Sequence, residues 1–104
     1  MAKVAVFARL VARPGRRDEL VQMCQQLLDG ARGEEGTELY VLHVSDQEPD
    51  VVRLYELYRD DAALATHGGS DTMTSVFPKL SELLAAAPEM AVSTPVAAKG
   101  ISTS

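Results

Sequence analysis

Residues 20–31 carry apolar side chains at the spacing of one helical face, and this pattern constrains the fold more than any other in the chain. The series i, i+3, i+4, i+7, i+8, i+11 is filled by Leu20, Met23, Cys24, Leu27, Leu28 and Ala31. Asp18 and Glu19 precede the series, where carboxylates suit the positive end of a helix dipole. The pattern therefore predicts an amphipathic helix that buries one side against another layer.

Runs rich in β-branched and aromatic residues stand on both sides of this helix. The run "KVAVFARLVA" predicts a first strand before it. After it, "TELYVLHVS" and "DVVRLYELY" predict a hairpin whose turn is the polar "DQEPD". The run "MAVSTPVAA" predicts a last strand, and Pro95 favours an edge or bulged position because proline cannot donate to the ladder.

Two further helical segments are predicted between the hairpin and the last strand. Asp60 is placed to cap "DAALATH", with Gly68 as a left-handed stop. The next apolar series consists of Met73, Val76, Phe77, Leu80, Leu83 and Leu84. Pro78 lies inside that series and lacks a backbone donor, so we expect a kink or two short helices there.

The predicted order is β-α-β-β-α-α-β, a ferredoxin-like arrangement of the α+β class with a four-stranded antiparallel sheet. We expect one domain over residues 1–104, with a flexible tail over about 98–104 where the composition is polar. Helices on one face leave the other face of the sheet bare, although it carries apolar side chains. We therefore expect a homodimer with its two sheets packed face to face.

Composition argues against several kinds of partner. The net charge is −5, from ten Lys and Arg against fifteen Asp and Glu. Nucleic acids and anionic membrane surfaces need clustered cations, which are missing here. The apolar runs are too short to span a bilayer, and the first residues show no export signal. The single cysteine, Cys24, fits a reducing cytoplasm, where we expect the protein to work.

Three segments in this order resemble the antibiotic biosynthesis monooxygenase family of dimeric α+β barrels, and especially its quinol monooxygenase-like members. They are "ARPGRRDELVQMCQQLL", "EEGTELYVLHVS" and "YELYRDDAALATHGGSDTM". The resemblance implies a pocket between sheet and helices in each subunit. Some members oxidise quinol-type or polycyclic aromatics with O2 and without metal or flavin, because the electron-rich substrate is itself the reductant. Haem-degrading relatives depend on Asn and Trp, and the chain contains neither, so that activity is not expected.

The sharpest part of the resemblance is Tyr55-Glu56 on the third strand, followed by a helix that ends in His67. A carboxylate that touches an imidazole orients it as a general base, so we expect Glu56 and His67 to be catalytic. Tyr58 shares the strand face of Glu56 and stands where relatives often have Trp; it is the third catalytic candidate. In the structural alternative, Glu56 satisfies backbone donors at the helix start and His67 only closes the helix.

Four further residues are candidates for substrate binding: His43 and Tyr40 on the neighbouring strand, and Met73 and Phe77 on the third helix. The alternative for each is structural: a strand histidine with a backbone partner, a packed tyrosine, or ordinary core packing. Two histidines without a short-spaced ligand pair do not predict a metal site. We expect neither a metal nor another cofactor.

These residues support one leading function and two alternatives. The leading one is a cofactor-independent monooxygenase acting with O2 on a quinol or polyphenolic aromatic. An isomerase would instead use Glu56 or His67 to move a proton next to a carbonyl, with no need for oxygen. A non-catalytic dimeric binding module would fill the pocket with its own side chains.

Overall fold

The computed structural model describes residues 2–104. The elements of this range are β1 (Val4–Val11), α1 (Arg17–Ala31), β2 (Thr37–Ser45), β3 (Glu48–Tyr58), α2 (Asp61–Gly68), α3 (Asp71–Ser81) and β4 (Glu89–Ser93). Their order agrees with the order predicted from the sequence.

The strands form one sheet in the order β2-β3-β1-β4, with every neighbouring pair antiparallel. Strands β3 and β1 are interior, and β4 is an edge strand that ends at Ser93, so Pro95 lies beyond it and not within the last strand as predicted. The predicted ferredoxin-like α+β fold is confirmed. No helix in the described part of the chain is both long and apolar enough to cross a membrane.

The main core lies between the sheet and the helices. The predicted face of α1 is buried through Leu20, Cys24, Leu27 and Ala31. It packs with Val52 and Leu54 of β3 and with Val76 and Leu80 of α3. Each such side chain stabilises the fold by about 1.5–3 kcal/mol when it leaves water. The opposite sheet face leaves Phe7 50% and Val41 38% exposed, so part of its apolar surface lies in water.

Three local predictions differ from the structure. The hairpin turn consists of residues 46–47 alone, because β3 begins at Glu48. Gly68 belongs to α2 and does not adopt a positive φ; the helix ends where the N–H of Gly69 donates to Ala65 O at 3.0 Å. Helix α3 runs unbroken past Pro78, whose missing donor affects only the last turns.

The loop between α1 and β2 packs closely against α2. Gly36 O accepts the backbone N–H of Arg59 at 2.8 Å, which ties the loop to the end of β3. A Cβ placed on Gly36 would overlap the side chain of Ala63 in α2. Glycine is therefore required here for the close approach of loop and helix.

We predict that Gly36→Ala destabilises the protein by about 1–3 kcal/mol, because α2 must shift to admit the methyl group. Thermal or urea unfolding measures this change. Gly33→Ala is the matched control, because the same loop leaves open space around Gly33. Equal stability of the two variants would contradict this packing.

Candidate functional site

Two polar side chains of β3 point from the sheet toward the helices. Residues two apart on a strand share a face, so Glu56 and Tyr58 follow Val52 and Leu54 on the helix side. The Tyr58 hydroxyl donates a hydrogen bond to Glu56 Oε1. Glu56 is 5% exposed and Tyr58 is fully buried. The predicted shared face is confirmed, and the two side chains are direct partners.

His67 enters the same layer from the end of α2. The Asp60 carboxylate accepts the N–H of Ala63 at 2.8 Å, and this cap starts the helix as predicted. Near the other end of the helix, the His67 side chain is 5% exposed and points inward.

The hydrogen-bond partner of His67 is Glu34 and not Glu56. Nδ1 of His67 lies 2.8 Å from Oε1 of Glu34, a residue of the loop between α1 and β2. The same oxygen accepts the hydroxyl of Thr37 at 2.9 Å. The expected contact between Glu56 and His67 is therefore wrong, because Glu56 is bound to Tyr58 and a loop residue reaches the imidazole. The alternative role of Glu56, satisfying backbone donors at the helix start, falls to Asp60 instead.

Two tyrosine rings flank the imidazole of His67. The ring centroids of Tyr40 and Tyr58 lie 5.5 Å and 5.4 Å from that of His67, both tilted. Tyr40 pairs directly with Glu56 in the β2–β3 ladder, which places it on the helix side as well. We call this group the polar cluster; its members are Glu34, Tyr40, Glu56, Tyr58 and His67.

Burial determines the protonation of the polar cluster. Loss of water raises the pKa of Glu56, and the nearby Glu34 adds to the rise, while the Tyr58 hydroxyl and His67 act in the opposite direction. Burial likewise raises the pKa values of Tyr40 and Tyr58, so both phenols keep their protons. The cluster thus holds proton donors beside an imidazole.

Surface concavities reach the polar cluster from two sides. One of about 430 Å³ lies along edge strand β2 and reaches Tyr40, with Leu28, Arg32 and Leu39 among its walls. Another of about 370 Å³ reaches Glu34 between the loop and α2. Glu56, Tyr58 and His67 themselves are buried and line neither concavity.

The remaining predicted residues lie elsewhere. His43 pairs with Arg53 in the β2–β3 ladder and lines a concavity of about 530 Å³ on the open sheet face. The expectation that it shares the Glu56 pocket is therefore wrong. Met73 is partly buried against the main core. Phe77 is 36% exposed on α3 and does not join the cluster.

Sequence reasoning missed Glu34. It follows the end of α1 in the loop "GEEG", where Glu34 and Glu35 look equivalent in the sequence. Only the fold shows that the first is half-buried and the second exposed. Within residues 2–104, no group of three or more His, Cys, Asp or Glu side chains is placed to hold a metal ion.

Comparison with known proteins identifies the family. The family model described as antibiotic biosynthesis monooxygenase matches residues 3–79, most of the chain and all of the polar cluster. The chain belongs to this family. "Putative monooxygenase Rv0793" of Mycobacterium tuberculosis is 35% identical over 81 residues, covering 78% of this chain and 79% of the relative. "Putative monooxygenase YcnE" of Bacillus subtilis is 28% identical over 83 residues, covering 80% and 87%.

Solved structures show the same fold. The structure of Rv0793 superposes with a TM-score of 0.86 at 30% identity, covering 93% of this chain and 98% of that one. A Caulobacter crescentus structure described as an antibiotic biosynthesis monooxygenase gives 0.86 at 27% identity, covering 92% of each chain. Family membership and the names of these relatives support a monooxygenase-like function for this family member.

We predict that Glu56→Gln changes how stability depends on pH. Because folding raises the pKa of Glu56 above its ordinary value of 4.5, the folded chain keeps a proton that the unfolded chain has lost. The contribution of Glu56 to the free energy of unfolding is thus fully present below its ordinary pKa, and it is lost as the pH rises through the pKa of the folded state. The variant, always neutral, should gain stability relative to the native protein as pH rises.

Urea unfolding from about pH 4 to about pH 8 measures this difference. Glu35→Gln is the control, because Glu35 is exposed in the neighbouring loop. A constant difference between Glu56→Gln and the native protein across this range would contradict the raised pKa.

Proposed function

We propose that this protein is a cofactor-independent monooxygenase that uses O2 to oxidise a quinol or polyphenolic aromatic at the polar cluster. The observation that carries the proposal is the imidazole of His67, bound to a carboxylate and flanked by two tyrosine rings. This arrangement supplies a general base in aromatic surroundings. Family membership supports the oxygen chemistry, and the reducing power of the substrate removes the need for a flavin or metal.

The proposed reaction begins with proton transfer from a substrate hydroxyl to Nε2 of His67. The resulting phenolate is electron-rich enough to reduce O2, and the Tyr40 hydroxyl stabilises charge that develops on oxygen. One atom of O2 then bonds to a ring carbon, and the other leaves as water with protons returned through His67. A quinol thereby becomes a hydroxyquinone plus water, and the substrate supplies all the electrons.

Closure of the site from water favours this chemistry. Low exposure of Glu56, Tyr58 and His67 keeps bulk solvent from an electron-rich intermediate. We propose that the aromatic enters along edge strand β2, where the concavity of about 430 Å³ has the size of a small-molecule site. Tyr40 lies at its inner end. We further propose that the enzyme works in the cytoplasm.

A second candidate is an isomerase that moves a proton next to a carbonyl. It is favoured by a carboxyl group of raised pKa, Glu56, in the same cluster as the imidazole, which together give a proton donor and a proton acceptor. Such an enzyme needs no O2. Turnover that continues under anaerobic conditions would therefore contradict the monooxygenase proposal and support the isomerase.

We predict that His67→Gln lowers the rate of O2 consumption with reactive hydroquinones by roughly 10²–10⁴-fold, the usual contribution of a general base. An oxygen electrode and a panel of hydroquinones and polyphenols measure it. His43→Gln is the control, because His43 lies on the other sheet face; it should lower the rate of O2 consumption far less. Equal losses in both variants, or none in His67→Gln, would contradict the role of His67.

We also propose that the protein is a homodimer joined through the open sheet face. An apolar row crosses this face through Val41, Tyr55, Phe7 and Ala91, which pair in register. The rings of Phe7 and Tyr55 lie 5.1 Å apart. A charged row follows it through His43, Arg53, Arg9 and Glu89. An apolar centre with a polar rim is typical of a subunit interface.

Light scattering should give twice the 11.2 kDa chain mass at micromolar concentration. We predict that Phe7→Asp weakens the dimer at least tenfold, about 1.4 kcal/mol, because it places a carboxylate in the apolar row. Gln25→Asp, on the exposed side of α1, is the matched control. A native protein that scatters as a monomer would contradict the dimer. A Phe7→Asp variant that keeps the dimer mass of the native protein would contradict this interface.

A further inference from the structure

We propose that Glu34 is a positioning residue that holds the proton of His67 on Nδ1, so that Nε2 is the atom that accepts a proton from the substrate. The inference rests on the proposed function, and it assigns a role to a residue that the sequence alone did not single out as a site candidate. It begins from the two hydrogen bonds that converge on one oxygen of Glu34.

The chemistry of the two partners determines the direction of each bond. An ionised carboxylate only accepts hydrogen bonds, so in the proposed arrangement the Nδ1 atom of His67, which lies 2.8 Å from Glu34 Oε1, carries the hydrogen. Thr37 donates its hydroxyl to the same oxygen at 2.9 Å. With Nδ1 protonated, a neutral imidazole has its lone pair on Nε2.

The loop holds Glu34 in place before any substrate arrives. The backbone N–H of Glu34 donates to Ala31 O at 3.0 Å, and its carbonyl accepts the N–H of Thr37 at 3.1 Å. The close contact of Gly36 with Ala63 fixes the loop against α2, the helix that carries His67. A carboxylate held by rigid backbone costs little reorganisation during proton transfer.

Glu34 and Glu56 thus have different tasks. Glu56 is bound to the Tyr58 hydroxyl, and its pKa is raised by burial, which favours a proton-bearing group. Glu34 instead lies against an imidazole nitrogen and accepts the Thr37 hydroxyl, two contacts that suit a carboxylate acting as acceptor. When His67 accepts a proton, the negative charge of Glu34 stabilises the imidazolium that forms.

The first measurement follows the His67 tautomer by nitrogen NMR on labelled protein and does not depend on activity. The native spectrum should show a protonated Nδ1 at His67. Glu34→Ala should lose this preference, while His43, on the other face, serves as the internal reference. A native His67 protonated on Nε2, or an unchanged tautomer in Glu34→Ala, would overturn the proposal.

The second measurement compares O2 consumption of the native protein with that of Glu34→Gln, Glu34→Ala and Glu35→Gln. Glu34→Gln keeps the shape and removes the charge, and it should lose roughly tenfold in kcat, part of the contribution of a general base. Glu34→Ala should lose more of its rate. Added formate should restore part of that rate, because the concavity of about 370 Å³ reaches the position of the missing side chain and can admit a small carboxylate there. Glu35→Gln should match the native protein.

These results separate the two proposals. A native protein inactive toward the panel, with the predicted tautomer and its loss in Glu34→Ala, overturns the proposed function and supports the positioning role. An active native protein whose rate is unchanged in Glu34→Gln and Glu34→Ala overturns the positioning role alone. If Glu34→Ala fails to fold, Glu34→Gln tests the positioning role alone. A native rate in Glu34→Gln, with an unchanged unfolding temperature, would then overturn that role.

Discussion

The two-residue period of β3 is the constraint on which the rest of the structure depends. This strand pairs with β1 on one side and β2 on the other, so its alternation determines which face each neighbouring side chain reaches. Its helix face begins with Val52 and Leu54, which anchor the core, and continues with Glu56 and Tyr58. A shift of one residue would send the carboxyl group to the open face and Arg53 into the core.

Burying Glu56 requires partners, and the polar cluster supplies them. A carboxyl group without a hydrogen bond in an apolar layer would cost several kcal/mol, on the order of 2–7. Here the Tyr58 hydroxyl donates to Glu56, and Glu34 shares a hydrogen bond with His67 and accepts the Thr37 hydroxyl. Within residues 2–104, no buried side-chain nitrogen or oxygen lacks a partner. The hydrogen bonds form two groups, Tyr58 with Glu56 and Glu34 with His67 and Thr37, and in each group the loss of one partner leaves a buried polar atom unsatisfied.

The parts of the site set by local periodicity could be predicted from the sequence. The alternation of β3 gave the common face of Glu56 and Tyr58, and the Asp60 cap gave the start of the helix that carries His67. The parts that depend on tertiary packing could not. Glu34 could not be told from Glu35 without knowing which side of the loop meets α2.

The two sheet faces keep the polar cluster apart from the surface proposed for pairing. The polar cluster draws on β2, β3, α2 and the α1–β2 loop, all on the helix side, while the rows around Phe7 and Arg9 lie on the opposite side. The concavity at Tyr40 lies at edge strand β2 and shares Val41 with the apolar row of the open face. Because the sheet fixes the backbone of each contributor, single replacements can change the chemistry without changing the fold. Tyr58 is a position where such a replacement would act directly, since its hydroxyl is the donor for Glu56.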